Sequence, residues 1–237
     1  MEAYKKFEAY IYTEDDNEFS PNFLEYVNKG LELYNDDNQI LAVCGYRKGK
    51  ANWNGGGNVR RVQNFNAWRF ATWKSKIDEC NNWICRKNFY KLLKNRDFCE
   101  LLYNESYELF YAFVEFFLAN PKDYKSVYIN SQGDFSTIDY AKAIYILATG
   151  KYVIMPKVSM VRNWGFDGSG ANCARLKAYN PEDVSIDKKM TFDYCCDTQD
   201  IESNACEELY KDSSYKKLAK RAKIYYLYNG SCSGEKN

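Results

Sequence analysis

Three consecutive acids, Glu14-Asp15-Asp16, follow a short β-prone run, Tyr10-Ile11-Tyr12. Carboxylates gathered at the end of a strand repel one another: two like charges about 4 Å apart cost roughly 4 kcal/mol at an effective dielectric of about 20. A divalent cation held by hard oxygen ligands, Mg²⁺ or Mn²⁺, cancels that repulsion. A solvated acidic turn, with Ser20 capping the helix that follows, needs no ion. On spacing alone the solvated turn is favoured. A third use of the same cluster, a Ca²⁺-stabilised interaction domain, has only the acids behind it.

The inventory of side chains excludes other chemistries. The chain of 237 residues contains no histidine, which rules out Cys-His and Ser-His-Asp catalysis and His-ligated zinc. Nine cysteines lack the paired spacing of a zinc site, and the segment Met1–Lys6 does not read as a secretory signal. They are expected to be reduced thiols of a cytoplasmic chain. With 33 Lys plus Arg against 32 Asp plus Glu, no charge excess points to nucleic acid. The longest apolar run, Leu109–Leu118, is interrupted by Glu115. It falls short of the ~20 residues of a membrane span and is expected to be a core helix.

The elements that must position the acids read as alternating helix and strand. Phe23, Tyr26, Val27, Gly30, Leu31 and Tyr34 recur at spacings of three and four, predicting a helix over 22–34. Ile40–Gly45 reads as a buried strand, and 47–60 as a Gly/Asn-rich loop. The stretch 78–118 is helical and aromatic. Ser136–Thr149 is a helix closed by Gly150, and Tyr152–Met155 a strand stopped by Pro156. This alternation predicts a three-layer α/β domain. Residues 176–237 read as an extension with a basic helix over 216–228 and a disordered tail; that helix suits a membrane surface or plain solvent.

Four segments in order carry a resemblance. Glu14-Asp15-Asp16 with Ser20-Pro21-Asn22-Phe23 resembles an "EDD…SP-x-F" segment, and 31–46 the helix and strand after it. Trp68-Arg69-Phe70-Ala71-Thr72-Trp73 resembles "WGWATW". Pro156–Asn163 with Gly165–Gly170 resembles "PKVSLVxNxGFDGSG". Together they are similar to the family 2-like, metal-dependent glycosyltransferases of the GT-A fold, over roughly residues 5 to 173.

The resemblance implies an α/β fold: the C-terminal portion of a Rossmann-like GT-A domain with a helical insertion, residues 1–175 forming the catalytic and acceptor part and 176–237 the extension. It implies a sugar transferred from a nucleotide-sugar donor to a glycan or lipid-linked hydroxyl, with inversion, in surface polysaccharide synthesis. Glu14, Asp15 and Asp16 form its DXD-like motif, with Asp16 contacting Mn²⁺ or Mg²⁺. Asp139 is implied as the base that deprotonates the acceptor, with Asp134 second. Trp68 and Trp73 stack on a sugar or pack in the core, and Asp167 and Gly168 meet a substrate hydroxyl. Asn172 stands where the family commonly has a histidine metal ligand, which weakens the expected metal site.

The family's nucleotide-binding βαβ units precede the acidic motif, and this chain begins almost at it. The nucleoside half of the site is therefore expected to lie outside these residues, with strand pairing or a homodimer covering the sheet edge. Peripheral membrane contact is expected near a lipid-linked acceptor. The alternative is a non-catalytic sugar-binding or assembly protein descended from such an enzyme.

Overall fold

A computed structural model describes residues 6–47, 57–118, 138–165, 186 and 199–200. The chain divides into two units. One holds the described residues up to Cys80 and those from Gly150 onward; the other holds those between Asn81 and Thr149. The boundary expected at residue 175 lies outside the described residues.

The first unit is built on the strand whose sequence is most apolar. β3 (Ile40–Cys44) is buried at every position, as a strand covered on both faces must be. It pairs antiparallel with β5 (Phe70–Trp73) and parallel with β6 (Tyr152–Pro156). β5 pairs on its far side with β1 (Ala9–Tyr12). β6 pairs antiparallel with β4 (Val59–Val62), which meets the short β8 (Gln199–Asp200) in parallel. The sheet is thus six-stranded and mixed, in the order β1-β5-β3-β6-β4-β8. An α/β class is what the structure shows.

The helix α1 (Phe23–Leu33) lays Phe23, Tyr26, Val27 and Gly30 against this sheet, the face its spacing predicts. The Tyr26 hydroxyl donates to the Cys44 carbonyl at 2.8 Å, which keeps a phenol satisfied at zero exposure. Ser20 does not cap α1. The N-cap is Asn22, without a side-chain cap bond, while the Ser20 hydroxyl accepts from the N–H of Asn22 itself at 3.2 Å. At the other end the Lys76 ammonium donates to the carbonyls of Tyr34 and Asp37, at 2.7 and 2.9 Å.

A second, two-stranded sheet has no precedent in the sequence pattern. β2 (Asn17–Phe19) pairs antiparallel with β7 (Val161–Asn163), placing Asn17 opposite Asn163 and Glu18 opposite Arg162. The ion pair between Arg162 and Glu18, at 3.0 Å, pins the register.

The other unit is helical, as the aromatic stretch predicts: α3 (Arg86–Leu93), α4 (Arg96–Glu105), α5 (Tyr107–Leu118) and α6 (Ile138–Thr149), entered from α2 (Lys74–Trp83). Phe89, Phe98, Phe110 and Phe113 are buried there, with Phe89 and Phe98 each meeting Phe113 edge-on at 6.0 Å. Asn95 caps α4 by accepting from the Phe98 N–H. Gly150 follows α6 at φ +67°, the left-handed residue that commonly ends a helix. Cys44, Cys80, Cys85 and Cys99 are thiols, as expected. Among the described residues no helix is long and apolar enough to cross a membrane.

Candidate functional site

The acidic residues sit on the turn between β1 and β2. Because β2 pairs with β7, this turn meets the end of β7, and the Trp164 N–H donates to the Asp16 carbonyl at 2.8 Å. Gly165 lies so close that a Cβ there would stand 2.0 Å from Asp16 Oδ2. Only a residue without a side chain lets the carboxylate occupy that place. The Asn163 amide orients the corner, its Oδ1 accepting from the Gly165 N–H at 2.8 Å and its Nδ2 donating to Asn17 Oδ1 at 3.2 Å.

Arg69 enters the same corner from the loop before β5. It is 1% exposed, and its backbone has φ +105°, a conformation that L side chains rarely adopt. In the "WGWATW" segment quoted above, this position is glycine. The Arg69 Nη2 donates to the carbonyl of Glu14 at 2.6 Å and reaches that of Asn17 at 3.4 Å. The guanidinium lies over Phe19, 3.4 Å from the ring centroid. Burial pulls its pKa down to about 10, against the opposing pull of Asp16 and then Glu14, so it is a cation at neutral pH. Its Nε and Nη1, together with Asp16 Oδ1 and Asn17 Nδ2, are buried with no hydrogen-bond partner among the described residues. Orphaned buried polar atoms each cost about 1–3 kcal/mol, so four in one corner call for an explanation.

The expected residues fall into four groups. Glu14 and Asp16 are half-buried and Asp15 is exposed. Trp73 is buried in the core at 4% exposure, with the Lys76 ammonium 3.7 Å from its ring centroid; packing, the alternative to sugar stacking, is where the structure places it. Trp68 is half-buried and meets Tyr46 edge-on at 4.5 Å. Asp139 lies in the first turn of α6, half-buried, in the helical unit. Asp134, Asp167, Gly168 and Asn172 lie outside the described residues, as do most of the loop over 47–60 and nearly all of 176–237.

Two residues at the corner were not singled out from the sequence. Arg69 is one, and its signal is the departure from glycine. The other is Trp164, 43% exposed, with its indole N–H donating to Glu18 at 3.0 Å. This fixes an open aromatic ring next to the acidic turn.

Among the described residues no group of three or more His, Cys, Asp or Glu side chains is placed to hold a metal ion. A fixed guanidinium charge also stands beside two of the three acids. The described residues therefore do not fit the Mn²⁺ or Mg²⁺ that the resemblance implies. No protein-family model matches the chain, and no curated protein matches it either. The resemblance rests on the quoted segments alone.

Proposed function

We propose that this chain is a glycosyltransferase of GT-A type, moving a sugar from a nucleotide-sugar donor to a hydroxyl of a glycan or lipid-linked acceptor. One observation carries the reading. Three segments far apart in sequence, each noted for the same resemblance, meet at one turn: the acidic residues themselves, Arg69 of the Trp-flanked segment on the Glu14 carbonyl, and Trp164-Gly165 after β7 on Asp16. Sugar transfer needs charge stabilised on the leaving diphosphate, a deprotonated acceptor hydroxyl, and both held in line. In this reading Asp16 orients the donor, and the open ring of Trp164 receives the apolar face of a sugar. No step is routed through a divalent ion.

Calorimetric titration of uridine and guanosine diphosphates, with and without Mn²⁺, into the chain and its Asp16→Asn variant tests the reading. Binding that disappears in the variant is expected. No binding by a demonstrably folded chain would sink it. A second reading, a non-catalytic sugar-binding or assembly protein, is favoured by the guanidinium among the acids. It predicts sugar binding with no release of nucleoside diphosphate from any nucleotide-sugar.

A further inference from the structure

We propose that Arg69 is the resident cation of the acidic turn: its guanidinium balances Asp16 and Glu14 in place of a bound divalent ion and so makes the turn a poor metal site. The inference takes from the reading above only that Asp16 faces the site. It departs from the metal-dependent chemistry that the resemblance implies.

The geometry argues for a placed charge. A residue at φ +105° is held against a steric penalty, and the surroundings hold it by three means. The backbone is clamped on both sides: the Arg69 N–H donates to Ala67 at 2.6 Å, and its carbonyl accepts from Gly45 at 2.9 Å. Two carbonyls of the acidic turn, those of Glu14 and Asn17, take its Nη2. The Phe19 ring closes the remaining face. The strained backbone therefore delivers a positive charge to the main chain of the acidic turn.

A guanidinium is suited to that place because it stays charged when buried and is weakly hydrated, whereas an ammonium is strongly hydrated. Once it is there, a dication approaching Asp16 meets a fixed like charge, and its affinity falls. Nε and Nη1 of Arg69 and Oδ1 of Asp16 are buried without a hydrogen-bond partner among the described residues, so the opposite charges of this corner act on one another with little screening by solvent. Arg69 acts through the carboxylates and is a positioning residue.

The test uses Mn²⁺ alone, so it is independent of nucleotide binding and of turnover. Free Mn²⁺ is followed by electron paramagnetic resonance during titration of the wild-type chain, Arg69→Gly, Arg69→Lys and Arg69→Gly/Asp16→Asn. Glycine relieves the backbone at φ +105° and removes the charge. Arg69→Gly is expected to bind Mn²⁺ at least about tenfold tighter than wild type, with Asp16→Asn abolishing the gain and Arg69→Lys resembling wild type. A folded Arg69→Gly that binds Mn²⁺ no tighter than wild type overturns the proposal.

Should Arg69→Gly fail to fold, thermal melting of Asp16→Asn in EDTA decides. A resident cation stripped of its counter-charge lowers Tm, by about 2–6 °C for a chain of this size. An unchanged or raised Tm, the result for acids that merely repel one another, overturns it as well. A chain that binds no nucleotide yet passes these tests would remove the glycosyltransferase reading and leave the role of Arg69 standing.

Discussion

Arg69 and Lys76 are both buried cations of the sheet unit, 1% and 7% exposed, and they are held in opposite ways. Lys76 sits in the relaxed backbone of α2. Its ammonium donates to the Tyr34 and Asp37 carbonyls beyond the end of α1 and rests on the Trp73 ring. A cation there also meets the negative end of the helix dipole. Arg69 sits on a strained backbone, beside carboxylates, with two nitrogens left over. A buried cation whose donors are used and whose backbone is at ease is structural. One kept under strain with donors in reserve is kept for its charge.

The strongest way to break this contrast is to remove each cation in turn. Lys76→Ala takes the second hydrogen bond from two carbonyls, which keep only the Asp37 and Ile40 N–H groups, and uncovers Trp73; a loss of about 2–4 kcal/mol is expected by urea denaturation. Arg69→Gly loses buried contacts and regains backbone ease, so about 1–3 kcal/mol is expected. Millimolar Mn²⁺ is expected to restore part of the second loss and none of the first. Equal rescue of both, or of neither, would erase the distinction.

Gly165→Ala tests the same corner from the other strand. The new Cβ falls 2.0 Å from Asp16 Oδ2 and must displace the carboxylate. A loss of about 1–3 kcal/mol is expected, together with any nucleotide or metal binding that depends on Asp16. Wild-type stability in the variant would show that the carboxylate moves aside freely and that the corner is not preorganised.

Titration separates the two cations by pH. Burial is the main cause that lowers the Lys76 pKa from 10.5 to about 8, a fall that the nearby Asp37 partly opposes. Between those values the unfolded chain holds a proton that the folded chain has released. Stability is therefore expected to rise with pH across about 8 to 10.5, because the cost of burying the charged ammonium is relieved. The rise should vanish in Lys76→Met, measured as the difference from wild type so that the tyrosines cancel. A curve unchanged by that substitution would mean that the ammonium is not desolvated.

These contrasts were only partly legible in the sequence. α1 and β3 could be read because their pattern is local: Phe23, Tyr26, Val27 and Gly30 share one helical face, and Ile40–Cys44 is an unbroken apolar run. β2 could not, since Asn17-Glu18-Phe19 shows no alternation and owes its form to pairing with Val161–Asn163, far along the chain. The acidic turn was visible as three carboxylates. What lies beneath it was not, because an arginine in a sequence reads as a solvated side chain. Only its standing where the resembled "WGWATW" segment has glycine bears on the left-handed backbone. Trp73 had two readings from its type alone, and burial by Lys76 and the sheet chose between them.

The smallest effect belongs to a cation that keeps its water. Lys29 meets Glu32 at 3.1 Å, three residues on along α1, with side chains 48% and 72% exposed. The Coulomb gain there is screened, and holding two long side chains in one geometry costs entropy. Glu32→Ala is expected to change stability by no more than about 0.5 kcal/mol and to shift nothing in Mn²⁺ binding. Lys29, Lys76 and Arg69 then form a series in which the same unit of charge goes from unimportant, to structural, to placed against acids. A loss at Glu32 as large as that at Lys76 would show that charge alone decides the cost. The expected near-silence instead assigns it to desolvation and to the groups each buried cation must satisfy.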